Sequence, residues 1–159
     1  IDELCKRWKV SLNSGKGSYV FGEKNDSRAI LMKPLTGMNK SGKAVKEFCI
    51  NQGLLLSNVH VIVDDIDLPL GKLRIRPKGG DGCHRGMESI IYQNRDNNFP
   101  RIRFGIAVGS KLRPSEQYVL KDFKKSDQNL ADEMIVRAAD AAELIFEDGL
   151  NRAMNKYNA

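Results

Sequence analysis

The run V-H-V-I-V-D-D-I-D-L-P-L-G (residues 59–71), followed by K-G-G-D-G-C-H-R-G (residues 78–86), decides how this chain is read. The β-branched stretch 59–63 predicts a strand that runs out into carboxylates at Asp64, Asp65 and Asp67. The second segment places glycines and cations ahead of a helical pattern, where exposed N–H groups and the helix terminus both favour negative charge. Ligands of open α/β sheets bind beyond the carboxyl ends of strands. Together the two loops predict an α/β fold whose site takes a phosphate-bearing ligand. Asp64, nearest the strand, is the candidate functional carboxylate, able to orient a histidine or hold a metal. Asp65 and Asp67 read as turn formers leading into Pro69.

Outward from these loops, alternation predicts further strands at 18–23, 28–33, 72–76 and 101–108, and the first strand is drawn at 59–64. Helices are expected at 41–52, stopping at Gly53, and at 84–94. The tail 126–157 reads as helical with a break near Gly149, turning Leu130, Met134, Ala138, Ala142, Ile145, Leu150 and Met154 inward. Asn25-Asp26-Ser27 reads as a hairpin turn, so the sheet is not wholly parallel, and 94–100 and 110–114 read as loops. Strands alternating with helices predict an α/β sandwich with a mixed sheet, and no linker or repeat interrupts a single domain over residues 1–159. Ile1, Leu4, Cys5 and Trp8 share one helical face with no cap before them, as in a chain missing its natural start.

The net charge is +6, but its distribution says more. Between Lys72 and Arg113 ten Lys or Arg (Lys72, Arg74, Arg76, Lys78, Arg85, Arg95, Arg101, Arg103, Lys111, Arg113) face three acids, the footprint of a polyanionic partner such as nucleic acid. Three scattered cysteines and two histidines argue against a zinc site or a disulfide framework, and suggest a reducing, cytosol-like compartment. No apolar run approaches the ~18 residues needed to span a bilayer. Of the histidines, His84 sits at a helix entrance beside Arg85, which suits a neutral hydrogen-bonding group better than a proton carrier, whereas His60 falls mid-strand and reads as structural. After K-P-L-T-G, Asn39 or Ser41 can cap the next helix; alternatively Asn39 turns its amide into a cleft walled by Met38.

Taken together, K-P-L-T-G-M-N-K-S-G, V-D-D-I-D-L-P-L-G, K-G-G-D-G-C-H-R-G-M-E-S-I-I and F-P-R-I-R-F-G-I resemble the bacterial-type peptidyl-tRNA hydrolase family, in order and at family spacing. The resemblance implies a three-layer sandwich around a twisted mixed sheet. It also implies a monomeric, cytoplasmic esterase of translation that uses neither metal nor cofactor. Such an enzyme cleaves the bond between a peptide's carboxyl end and the terminal ribose of tRNA, freeing the tRNA for reuse. Asp64 matches the aspartate that holds and polarises a general-base histidine. Asn39 matches a tRNA-contacting asparagine, with Gly37 and Met38 beside it, and His84 and Arg85 match the pair lining the cleft. Arg76 and Arg103 fall where the family clamps the tRNA 5′-phosphate, and Lys78 is a further candidate for substrate binding.

Three departures from the family pattern stand out. The opening strand, with its G-L-G-N-P-G-like turn and the T-R-H-N-like segment bearing the base histidine, has no counterpart, so the sheet is expected to lack its N-terminal strand. Arg85 stands where asparagine is commoner, and Gly37 where an aromatic is usual. A non-catalytic RNA-binding protein on the same scaffold is the alternative. A metal-dependent phosphohydrolase using Asp64, Asp65 and Asp67 is a third reading, though no second acidic cluster completes a two-metal site.

Overall fold

The computed structural model describes residues 1–26, 28–109 and 115–158, Ser115 by its backbone alone. The chain divides into two compact units, Ile1–His60 with Pro77–Pro100 and Val61–Arg76 with Arg101–Ala159.

In the first unit, helix α1 (Asp2–Trp8) buries Leu4 and starts from Ile1, which makes no side-chain cap. An antiparallel sheet follows in the order β1 (Asn13–Ser14), β2 (Tyr19–Glu23), β3 (Ile30–Pro34). The expected hairpin joins β2 to β3, with Glu23 opposite Ile30. At its tip the Asp26 carboxylate accepts from Lys24 Nζ at 2.8 Å and from the Arg28 backbone N–H at 3.2 Å, an Asx-type turn. Ser27 lies outside the described residues. Helix α2 (Ser41–Gln52) stops at Gly53, whose φ of 64° is the left-handed region glycine favours. The Leu54 N–H reaches the Cys49 carbonyl and the Gly53 N–H that of Ile50, a Schellman ending.

Tyr19, Ala44 and Phe48 form the buried centre of a cluster ringed by Phe21, Ile30, Met32 and Leu54. The Tyr19 and Phe48 rings meet edge to face at 5.4 Å, and the Tyr19 hydroxyl accepts from Asn51 Nδ2. Helix α3 (Arg85–Asn94) packs on α2 where Gly42 crosses Ser89. The Gly42 N–H donates to Ser89 Oγ at 3.0 Å, and a Cβ on Gly42 would run into the Ser89 carbonyl.

The second unit carries a sheet ordered β4 (Val61–Pro69), β6 (Arg101–Ala107), β5 (Leu73–Arg76). Strand β4 runs parallel to β6 and β5 antiparallel to it, so the sheet is mixed, as expected. Helix α4 (Ser115–Val119) precedes α5 (Lys125–Asp148) and α6 (Leu150–Tyr157), which pack on β6 and β5 respectively and part at Gly149. Of the expected inward stripe, Met134, Ala138, Ala142 and Ile145 are buried, joined by Ala131, Ala141, Ala153 and Tyr157. Leu130, by contrast, is exposed: it sits in the second turn of α5, and its partner there is Gly71, which offers no side chain to cover it. Leu150 and Met154 are only half-buried.

The predicted end of the first strand is corrected. Strand β4 continues through all three aspartates to Pro69, with a register shift between Asp65, opposite Gly105, and Pro69, opposite Ala107. The extra residues form a bulge in which the Asp67 N–H donates to Asp65 Oδ1 at 3.0 Å. Gly105 makes room for it, since a Cβ there would lie 2.8 Å from the Leu68 carbonyl oxygen. His60 precedes β4 instead of lying within a strand. The loop at 94–100 is as expected from Arg95 onward, and the one at 110–114 lies outside the described residues.

Candidate functional site

The predicted site residues fall into two groups, one on each unit. On the first, Met38–Lys40 form a single 3₁₀ turn closed by the Lys40 N–H on the Gly37 carbonyl at 2.8 Å. Ser41 Oγ folds back to donate to the Met38 carbonyl, and Lys40 precedes α2 without a side-chain cap. The expected capping by Asn39 or Ser41 therefore does not occur; the Gly42 N–H in the first turn of α2 is taken by Ser89 Oγ instead. Asn39 is left exposed, its amide making no hydrogen bond among the described residues, with two donors and an acceptor for an external partner. Gly37 and Met38 are exposed beside it.

His84 is the N-cap of α3. Its Nδ1 accepts from the Gly86 N–H at 3.1 Å and the Met87 N–H at 3.2 Å, a task usually taken by Ser, Thr, Asp or Asn. An accepting Nδ1 carries no hydrogen, so the imidazole proton sits on Nε2. The ring is thereby held in place by two hydrogen bonds from α3. The His84 backbone N–H donates to the Asp81 carbonyl, and Asp81 Oδ1 accepts from the Cys83 N–H at 2.7 Å, supporting Cys83 at a left-handed φ of 60°. Around the glycine run, the N–H groups of Cys83, His84, Gly86 and Met87 are already engaged within the loop and helix entrance.

Gly86 brings Met38 and His84 together. A Cβ there would lie 2.7 Å from Met38 Sδ and 2.9 Å from His84 Cε1, so both side chains close over a position only glycine leaves empty. Arg85 is exposed, 3.8 Å from Glu88, and Lys78 is exposed in the preceding loop. A groove of about 590 Å³ lined by Lys46, Tyr92, Arg95 and Asp96 includes none of the predicted site residues.

On the second unit, alternation sorts the carboxylates. Val63 pairs with Arg103 and Asp65 with Gly105, so Asp65 shares the face of Arg103, while Asp64, opposite Phe104, takes the other face. Asp65 is buried, and its Oδ2 lies 2.8 Å from Arg103 Nε. The three aspartates do not converge, and among the described residues no three His, Cys, Asp or Glu side chains are placed to share a metal. Arg74 sits opposite Arg103 and Arg76 opposite Arg101, placing four arginines on the Asp65 face. Arg76 is exposed and Arg103 partly so. Arg101, counted in the basic ladder, is instead 2% exposed. Burial, and then the Arg103 charge, hold its guanidinium below the ordinary range. Lys111 and Arg113 lie outside the described residues.

Asp65 is the residue that sequence reasoning misplaced. The available signal was the doublet itself: two adjacent aspartates in a continuing strand must face opposite ways, one of them toward R-I-R.

Known proteins match this arrangement along its whole length. A family model described as peptidyl-tRNA hydrolase covers residues 1–159. A peptidyl-tRNA hydrolase of Thermoanaerobacter sp. (strain X514) is 43% identical over 99% of this chain and 86% of its own length. One from Geobacillus kaustophilus is 40% identical over the same shares. The crystal structure of peptidyl-tRNA hydrolase from Acinetobacter baumannii superposes with a TM-score of 0.89 at 30% identity, covering 99% of this chain and 82% of that one. With the fold, the four motifs and the relatives in agreement, the chain belongs to the peptidyl-tRNA hydrolase family.

Proposed function

We propose that this protein hydrolyses the ester bond joining a peptide to its tRNA. The observation that carries the reading is the family match over residues 1–159, reinforced by relatives of that name at about 40% identity. In this reading Asp64 polarises the group that activates water, and the exposed Asn39 amide positions the substrate. On the first unit His84, its ring fixed by α3, meets the substrate as a neutral hydrogen-bonding group, with Gly37 and Met38 as further substrate contacts beside Asn39 and Arg85 beside His84. Arg76 and Arg103 take the tRNA 5′-phosphate, contacts that position the substrate without reading its sequence, and Lys78 is a further substrate contact. The reading also has the chain acting as one domain and a monomer, in the cytoplasm where translation runs. Among the described residues no helix is long and apolar enough to cross a membrane.

The test is hydrolysis of N-blocked aminoacyl-tRNA by the native gene product in the presence of chelator. Turnover should persist, and Asp64→Asn should lower it by about 10²- to 10⁴-fold. Chelator-sensitive cleavage, or an Asp64→Asn variant of full activity, would defeat the assignment.

A further inference from the structure

We propose that Asp65 is a positioning residue whose buried carboxylate aims the Arg103 guanidinium at substrate phosphate. The proposal rests on the reading that Arg103 meets the tRNA 5′-phosphate. Four arginines share one face of this three-stranded sheet, and β4 contributes the Asp65 carboxylate to that face. Without it, Arg103 would stand against Arg74 across the strand and Arg101 two residues back, with like charges driving the side chains apart. With it, Nε is tied at 2.8 Å to a carboxylate whose side chain is only 6% exposed. A guanidinium has five N–H donors and one carboxylate engages at most two of them, so the remaining edge stays available for phosphate.

The carboxylate is itself held. Its Oδ1 accepts the Asp67 N–H across the β4 bulge while Oδ2 takes Arg103, so rotation of either side chain breaks a contact. The bulge that sequence reasoning took for a turn thus locks the ion pair. Arg103 is only partly exposed and its Nε is held against Asp65, which suits a preset phosphate ligand.

The experiment compares N-blocked aminoacyl-tRNA with and without its 5′-phosphate, using the native gene product. Asp65→Asn should raise KM for the phosphorylated substrate by about 5- to 10-fold, the scale of a misaligned charge-assisted contact, with kcat within about twofold. KM for the dephosphorylated substrate should not move, so the preference collapses as it does in Arg103→Gln. The double variant should be no worse than Arg103→Gln alone. Asp65→Glu keeps the charge but shifts the carboxylate by one methylene, and should show a smaller rise confined to the phosphorylated substrate. It also supplies the answer if Asp65→Asn does not fold. If Arg103→Gln abolishes the preference while the Asp65 variants keep it, or lose activity equally on both substrates, Asp65 is a structural residue and the proposal falls. If Arg103→Gln itself retains the preference, the phosphate reading of Arg103 falls, and this one with it.

Discussion

The two histidines of this chain do different work, and each makes a prediction. His84 caps α3 through Nδ1, so His84→Ala leaves two N–H groups without their acceptor and should cost about 1–2 kcal/mol of stability. His84→Asn, which restores a short acceptor, should recover most of that loss in urea titrations. His60 is held below the ordinary imidazole range by burial. Below pH 6.5 the unfolded chain therefore binds a proton that the folded state resists, and stability falls as the pH drops through that value. His60→Gln should flatten the dependence of the urea midpoint between about pH 7 and 5. The depressed carboxylate of Asp26, hydrogen-bonded first to Lys24 and then to Arg28, acts in a separate window: its contribution is present above 3.8 and is lost only as the pH falls below it. Of these residues, Asn39 and His84 could be singled out in the sequence, because turn and helix-entrance chemistry are local. For Asp65 the sequence shows only that one member of the doublet faces R-I-R; which one is chosen by the register of β4 against β6.

Elements depend on a few close approaches. Gly42 lets α2 lie against α3, and Gly42→Ala would drive a methyl into the Ser89 backbone, with an expected loss of about 2–4 kcal/mol seen as a lowered unfolding midpoint. Strand β5 is an edge, and Asn158 closes it: Nδ2 donates to the Ile75 carbonyl at 2.9 Å while Oδ1 accepts the Ile75 N–H at 2.7 Å. Asn158→Ala should cost about 1–3 kcal/mol and expose pairing groups that promote association at high concentration, measurable by light scattering. Helix limits such as Gly53 and the break at Gly149 were legible because glycine marks helix ends locally. The extent of β4 was not, because Asp and Pro favour turns in isolation, whereas here the neighbouring strand supplies pairing and Gly105 supplies room for a bulge.

For the molecule as a whole, the relevant variable is charge. If Arg76 and Arg103 are the phosphate contacts, tRNA affinity should fall by about tenfold between 50 and 200 mM salt, and each of Arg76→Ala and Arg103→Ala should reduce the salt slope by about one contact. A salt-independent affinity would show that the basic surplus serves something else. The sequence by itself determined the α/β class, the order of most strands and helices, and the membership of the chain in its family, since periodicity, glycine punctuation and ordered motifs are all local records. Only the tertiary structure decided which carboxylate faces the arginines, that Arg101 is buried and not offered to a ligand, and that the N–H groups of Cys83, His84, Gly86 and Met87 are taken by Asp81 and His84. The physical reason is common to all three. Facing, burial and hydrogen-bond satisfaction depend on which distant strand or loop arrives alongside, and that pairing is made only when the chain is folded.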